Sequence, residues 1–157
     1  PGFKRLTVGG DVRLRGAGII RCDEAVKDAD GNVVELHCTL DPESRPGMDG
    51  ANRKVKGTIH WVSAKHAVMA EIRLYDRLFT VADPDSDADG KTYVDYLNPD
   101  SRKVVTGYVE PAAADATPEQ GYQFERNGYF VADRYDHRAD APVFNRSVTL
   151  RDTWAGK

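Results

Sequence analysis

Two arginines set two residues apart, Arg13 and Arg15, form the strongest chemistry-bearing pair in the chain. On a strand they project from one face, about 7 Å apart. Two guanidinium groups at that spacing reach adjacent phosphates, or a phosphate and a base edge. The planar fork gives paired hydrogen bonds and its face stacks on a base. A solvated sheet face with carboxylate partners on the next strand is an equally open reading. Lys4 and Arg5, taken alone, are a charged chain start. Gln123 and Arg126 are three apart, so an uninterrupted strand would send them to opposite faces. They converge only if the strand ends or bulges near Arg126, which the following Asn127-Gly128 permits. Otherwise they belong to a hairpin arm with an exposed arginine.

Other residue types invite chemistry and do not assemble it. In Arg53–Ala64, Val55, Ile59 and Trp61 share one parity and read as core. Lys54, Lys56, Thr58 and His60 share the other, offering cations to solvent or phosphate. No Ser, Cys or acid is spaced with His60 as a triad would need, and His37, His66 and His137 are scattered. Asp85-Ser-Asp-Ala-Asp-Gly90 matches the first half of a calcium loop, but position twelve is Tyr96 instead of a bidentate Glu. An acidic solvated linker accounts for it better. Cys22 and Cys38 lack the paired short spacings of a zinc site. Cys38 alternates with Val34, Leu36 and Leu40, so a buried thiol is expected, with Cys22 in the adjacent hairpin arm, neighbouring and unbonded. Two such cysteines suit a reducing compartment.

The elements that must position these residues are strands. Signals run through Val12–Arg15, Gly18–Lys27, Val33–Leu40, Lys54–Val62, Met69–Thr80, Arg102–Glu110, Tyr122–Glu125, Tyr129–Ala132 and Val143–Leu150. Asp28–Asn32 reads as a hairpin connector, Ser63–Ala67 and Tyr93–Leu97 as single helical turns, and Asp41–Asn52 as a loop. Many short strands with frequent turns predict an all-β protein of barrels or a sandwich. The 157 residues suffice for one medium domain or two small barrels. The net charge of −3 argues against a general polyanion binder. Residues 1–27 nevertheless carry a net +3, which suits a focused basic contact. No apolar run reaches membrane-spanning length and no signal-peptide pattern is present. The start at Pro1, with motifs beginning at once, suggests a piece of a longer polypeptide.

The chain resembles the C-terminal anticodon-binding region of glutaminyl-tRNA synthetase. The resemblance rests on Arg53–Ala64, Asp11-Val-Arg-Leu-Arg15, Glu71–Phe79, Gln123-Phe-Glu-Arg-Asn-Gly-Tyr-Phe130 and Phe144–Trp154, and it extends along nearly the whole chain. It implies two ribosomal-protein-like β-barrels. Residues 1–80 would be a largely complete distal barrel, 81–101 an acidic linker with a helical turn, and 102–157 the end of a proximal barrel whose first strands lie upstream. It implies that Arg13 and Arg15 approach the first anticodon base, Arg5 with Lys4 beside it the third, a guanine, and Gln123 and Arg126 the middle uridine. Gly2 stands where some relatives carry glutamine, so any contact from that side chain is absent here or is supplied elsewhere.

The resemblance further implies a cytoplasmic, monomeric parent that joins glutamine to tRNA(Gln) with ATP and magnesium. Its histidine-glycine and lysine-serine signatures are not among these residues, so the chain is expected to bind RNA without catalysis and to hold no cofactor itself. Its partners would be the anticodon loop and the parent's catalytic domain, with no membrane. Exposed strand edges near 102–110 or 143–150 would invite pairing with a second copy. The alternatives are an archaeal or eukaryotic-type glutamyl-tRNA synthetase, a β-barrel protein that binds ribosomal RNA, or a structural β-domain.

Overall fold

The computed structural model describes residues 6–85 and 90–150. Lys4, Arg5 and the centre of the Asp85–Gly90 segment lie outside the described residues. The chain forms two compact units, Pro1–Trp61 and Val62–Lys157.

The first unit is a four-stranded sheet. Strands β1 (Asp11–Leu14), β2 (Gly18–Lys27), β3 (Val33–Asp41) and β4 (Thr58–Ile59) lie in the order β3-β2-β1-β4. β1 pairs antiparallel with β2 and parallel with β4. The β2–β3 turn closes because Asp28 accepts from the N–H groups of Asp30 and Asn32, and Gly31 takes a positive φ of 84°. These hydrogen bonds from Asn32 hold the Asp28 carboxyl below its usual range. Val12, Ile19 and Cys22 supply the apolar interior. Ser44 is fully buried among them: its Oγ accepts from Ile19 N–H at 2.7 Å and donates to Asp41 O at 2.6 Å. The loop 41–52 contains two short 3-10 helices, Pro42–Ser44 and Asp49–Asn52.

The second unit is a five-stranded sheet of β5 (Val68–Tyr75), β6 (Arg102–Val109), β7 (Gly121–Phe124), β8 (Gly128–Ala132) and β9 (Val143–Val148), in the order β6-β5-β9-β8-β7. Its core holds Ala70, Ile72, Val109, Ala116, Phe130, Ala132 and Phe144. Phe124 stacks on Phe130 with centroids 4.6 Å apart, and Phe144 meets Phe124 and Tyr122 edge-on at 5.1 and 6.0 Å. His137 is buried against Phe144; its Nε2 lies 3.3 Å from Ala114 O, and its Nδ1 lies 3.1 Å from Val143 O and 3.2 Å from Val143 N.

Several expectations change. The sheets are open among the described residues, with β3 and β4 as the outer strands of one and β6 and β7 of the other. The 1–80 division moves to residue 61, because β5 pairs with β6 and β9 instead of joining the first sheet. The expected 54–62 strand is hydrogen-bonded as strand only over Thr58–Ile59. Period-two alternation has no force beyond that short pairing, so Trp61 is not core. It is 42% exposed, and its Nε1–H donates to Arg15 O at 2.9 Å. Cys38 is exposed because β3 is an outer strand, while Cys22 on the inner strand is buried, and both are free thiols. Of the two expected edges, β6 is one and β9 is interior.

Candidate nucleic-acid interface

In the first unit the backbone of β1 fixes both arginines. Arg13 lies opposite Ile19 of β2 and beside Thr58 of β4. Its Nη1 donates to Ser44 O at 3.1 Å and its Nη2 to Arg53 O at 2.8 Å. The guanidinium thus ties the first 3-10 helix to the segment after the second. It also lines a cavity of about 500 Å³ with Gly16, Gly18, Pro46, Met48 and Asn52. A group committed in this way to two carbonyls shapes the cavity wall. Arg15 lies one residue past β1; its N–H donates to Ile59 O at 3.1 Å, and its exposed side chain follows the strand end.

A larger cavity, about 740 Å³, lies between the entry to β1 and the segment before β4. Leu6, Thr7, Gly9 and Gly10 line one side, and Lys54, Val55, Lys56 and Gly57 the other. Lys54 and Lys56 are exposed and place two ammonium groups at a concave surface. Their alternation was legible in the sequence; the hollow they border was not, since it depends on residues some forty-five positions apart closing on each other. Arg5 and Lys4 precede this wall and lie outside the described residues.

In the second unit β7 and β8 form a hairpin in which Gln123 is the direct partner of Tyr129. Tyr122, Phe124 and Phe130 pack on the core, so Gln123 and the 45%-exposed Tyr129 share the other face. The strand ends at Phe124. Asn127 N–H donates to Phe124 O at 2.9 Å, and Arg126 adopts φ 65°, the left-handed region. The break needed to free Arg126 from strand parity is therefore present. A β-carbon on Gly128, whose φ is 145°, would sit 2.7 Å from Val148 O, so glycine is required there. A left-handed arginine costs about 1–2 kcal/mol and places a cation at the tip of the hairpin that carries Gln123. Gln123 has a planar aromatic neighbour in its register partner Tyr129, which sequence reading passed over. Its signal was its position six residues beyond Gln123 across a turn.

Two family models match the chain. Both carry the description "tRNA synthetases class I (E and Q), anti-codon binding domain"; one covers residues 2–41 and the other 58–133. The chain belongs to this family of anticodon-binding domains. It is 73% identical to the glutamine–tRNA ligase of Xanthomonas euvesicatoria pv. vesicatoria over 154 residues, which is 98% of this chain and 27% of that protein. It is 71% identical to the glutamine–tRNA ligase of Xylella fastidiosa strain M12 over 153 residues, 98% of this chain and 26% of that protein. The chain thus spans about a quarter of the length of these relatives. The first anticodon-binding match lies within the first sheet's unit and the second runs from β4 through β8, so it includes the hairpin of Gln123 and Arg126.

A third charged cluster is of a different kind. Arg73 donates to Glu71 at 2.6 Å, Asp133 at 3.1 Å and Asp136 at 2.7 Å. Asp133 also accepts from Asn145 Nδ2 at 2.6 Å and from the N–H groups of Tyr135 and Asp136, and Tyr75 closes the array on Asn145. The Asn145 hydrogen bond, those two N–H groups and the Arg73 charge outweigh burial and lower the Asp133 carboxyl to about 2. The guanidinium is raised in turn, by its hydrogen bonds to Asp136 and Glu71. With every partner supplied internally, this array clamps the 133–136 turn to β5 and β9.

Proposed function

We propose that this chain is the anticodon-reading part of a glutamine–tRNA ligase and selects tRNA(Gln) by its anticodon. The observation that carries the proposal is the family match across the β7–β8 hairpin, whose turn frees Arg126 from strand parity beside Gln123. In this reading the anticodon is splayed, as sequence-specific recognition of single-stranded RNA requires. Gln123 offers an amide donor and acceptor to the middle uridine, Arg126 donates to one of its carbonyls, and Tyr129 supplies a stacking face. Arg5, with Lys4 adjoining, pairs with two acceptors of the third-base guanine. Arg13 and Arg15 serve the first base, Arg13 through the cavity it shapes. Lys54 and Lys56 neutralise phosphates as the strand passes the larger cavity.

Selection follows from unmet hydrogen bonds: a wrong base leaves a desolvated donor or acceptor without a partner, costing about 1–3 kcal/mol. Joining glutamine to tRNA, with its ATP and magnesium, belongs to the remainder of a longer cytoplasmic, monomeric enzyme. Among the described residues no three His, Cys, Asp or Glu side chains are grouped to hold a metal. No helix among the described residues is long and apolar enough to cross a membrane.

Titration of this chain with labelled anticodon stem-loops tests the proposal. The glutamine anticodon should bind more tightly than loops altered at the middle or third base. Gln123→Ala should erase the middle-base preference. Equal binding of all loops would refute it, and a preference for a glutamate anticodon would assign the chain to the other branch of the family.

A further inference from the structure

Two free thiols stand directly across β2 and β3, because Cys22 is the register partner of Cys38. The type of pairing follows from the backbone. Cys22 N–H donates to Gly10 O at 3.0 Å, and Cys22 O accepts from Gly9 N–H at 2.7 Å. Both polar groups of Cys22 thus point toward the β1 side, and neither is available to β3. Cys22 and Cys38 are therefore a non-hydrogen-bonded antiparallel pair, the class in which α-carbons lie about 4.5 Å apart and side chains are closest. That separation falls within the range of about 4.4–6.8 Å that a disulfide spans. Directly opposed residues project from the same face, and the register shift of this ladder falls just past the pair, between Cys22 and Glu24. Partial burial first, then the Cys22 thiol and the Asp23 carboxylate, hold the Cys38 thiol above its ordinary value, so its thiolate forms, and the exchange runs, faster as pH rises.

We propose that Cys22 and Cys38 are a reversible thiol modification site, oxidised to a cross-strand disulfide by a low-molecular-weight disulfide such as oxidised glutathione. Exposure assigns the order of events. Cys38, on the outer strand, meets the reagent, whereas Cys22 is fully buried. The Cys38 thiolate attacks one sulfur of the reagent, forming a mixed disulfide and releasing one reagent thiolate. The Cys22 thiolate then attacks the Cys38 sulfur, forming the Cys22–Cys38 bond and releasing the second thiolate. The protein loses two thiol hydrogens and the reagent is reduced to two thiols, which take up the two protons. Thioredoxin-type dithiols or excess glutathione reverse the sequence. The bridge fastens the outer strand β3 to the residue that holds Gly9 and Gly10, which line the larger cavity. The site thus lies one strand away from a surface assigned to RNA, and neither thiol has a role in the reading mechanism.

The test is intact-mass analysis of the native chain after incubation with oxidised glutathione and acid quenching. Wild type should end lighter by two hydrogens as a monomer, resist alkylation, and yield one peptide pair joined through Cys22 and Cys38. Cys22→Ser should stop at a stable mixed disulfide on Cys38. Cys38→Ser, an exposed change that leaves the buried core intact, should take up no glutathione while folded. A wild-type chain that keeps a mixed disulfide on Cys38, or that forms covalent dimers instead, would overturn the proposal. So would modification of Cys38→Ser as fast as of wild type, since it would remove the entry role of Cys38.

Discussion

Asp133→Asn should destabilise the second unit by an amount that depends on pH. The carboxyl falls from 3.8 to about 2 in the folded chain, and its side chain is only 12% exposed, so solvent screening is limited. That fall is about two pKa units at about 1.4 kcal/mol each, or about 2–3 kcal/mol of stability. The folded value lies below the unfolded one. The contribution is therefore complete above about pH 4 and is lost as pH falls toward about 2. Asparagine keeps an acceptor for Tyr135 and Asp136 and removes the charge that faces Arg73, so it imitates the protonated acid. Urea unfolding of both chains, followed through signals of Phe144 and Phe130 in the core of that unit, should show a gap of about 2–3 kcal/mol at pH 6. The gap should close near pH 2. A gap of the same size at both pH values would show that the loss is one of packing or hydrogen-bond shape. No gap at pH 6 would show that the Arg73 array contributes nothing net, as exposed ion pairs often do.

Four further outcomes are expected. Arg126→Gly should leave stability unchanged or raise it by up to about 1 kcal/mol, by relieving a left-handed arginine, while costing about 1–3 kcal/mol of middle-base discrimination in stem-loop titrations. Tyr129→Ala should weaken every stem-loop alike, by about 1–3 kcal/mol, since stacking does not distinguish bases; Tyr129→Phe should bind as wild type does. Lys54→Ala should lower affinity without altering base preference and should reduce the slope of log affinity against log salt by about 0.7, as for one single-strand phosphate contact. Ser44→Ala should destabilise the first unit by about 1–3 kcal/mol in urea unfolding, because it leaves the buried Ile19 N–H without its acceptor.

Much of the fold was legible because strand periodicity and turn chemistry are local. The β2–β3 hairpin could be read from alternation on either side of Asp28–Asn32, and the turn after β7 from Asn127-Gly128. The family was legible from the order of several motifs. What sequence could not settle depends on which strand lies beside which. Val68–Tyr75 alternates equally well in either unit; only its ladders with β6 and β9 place it in the second. Val34, Leu36 and Cys38 alternate as a core strand does, yet β3 is an outer strand and its apolar side chains remain exposed. Trp61 shares parity with Ile59, but its strand pairing ends at residue 59, and its indole instead satisfies the Arg15 carbonyl. The candidate site divides along the same line. Residue types gave the arginines, lysines and Gln123, whereas the commitment of Arg13 to two carbonyls, the pairing of Tyr129 with Gln123, and the opposition of Cys22 and Cys38 required the sheet register. Register joins residues far apart in the chain, and a strand's own sequence states its faces but not its neighbours.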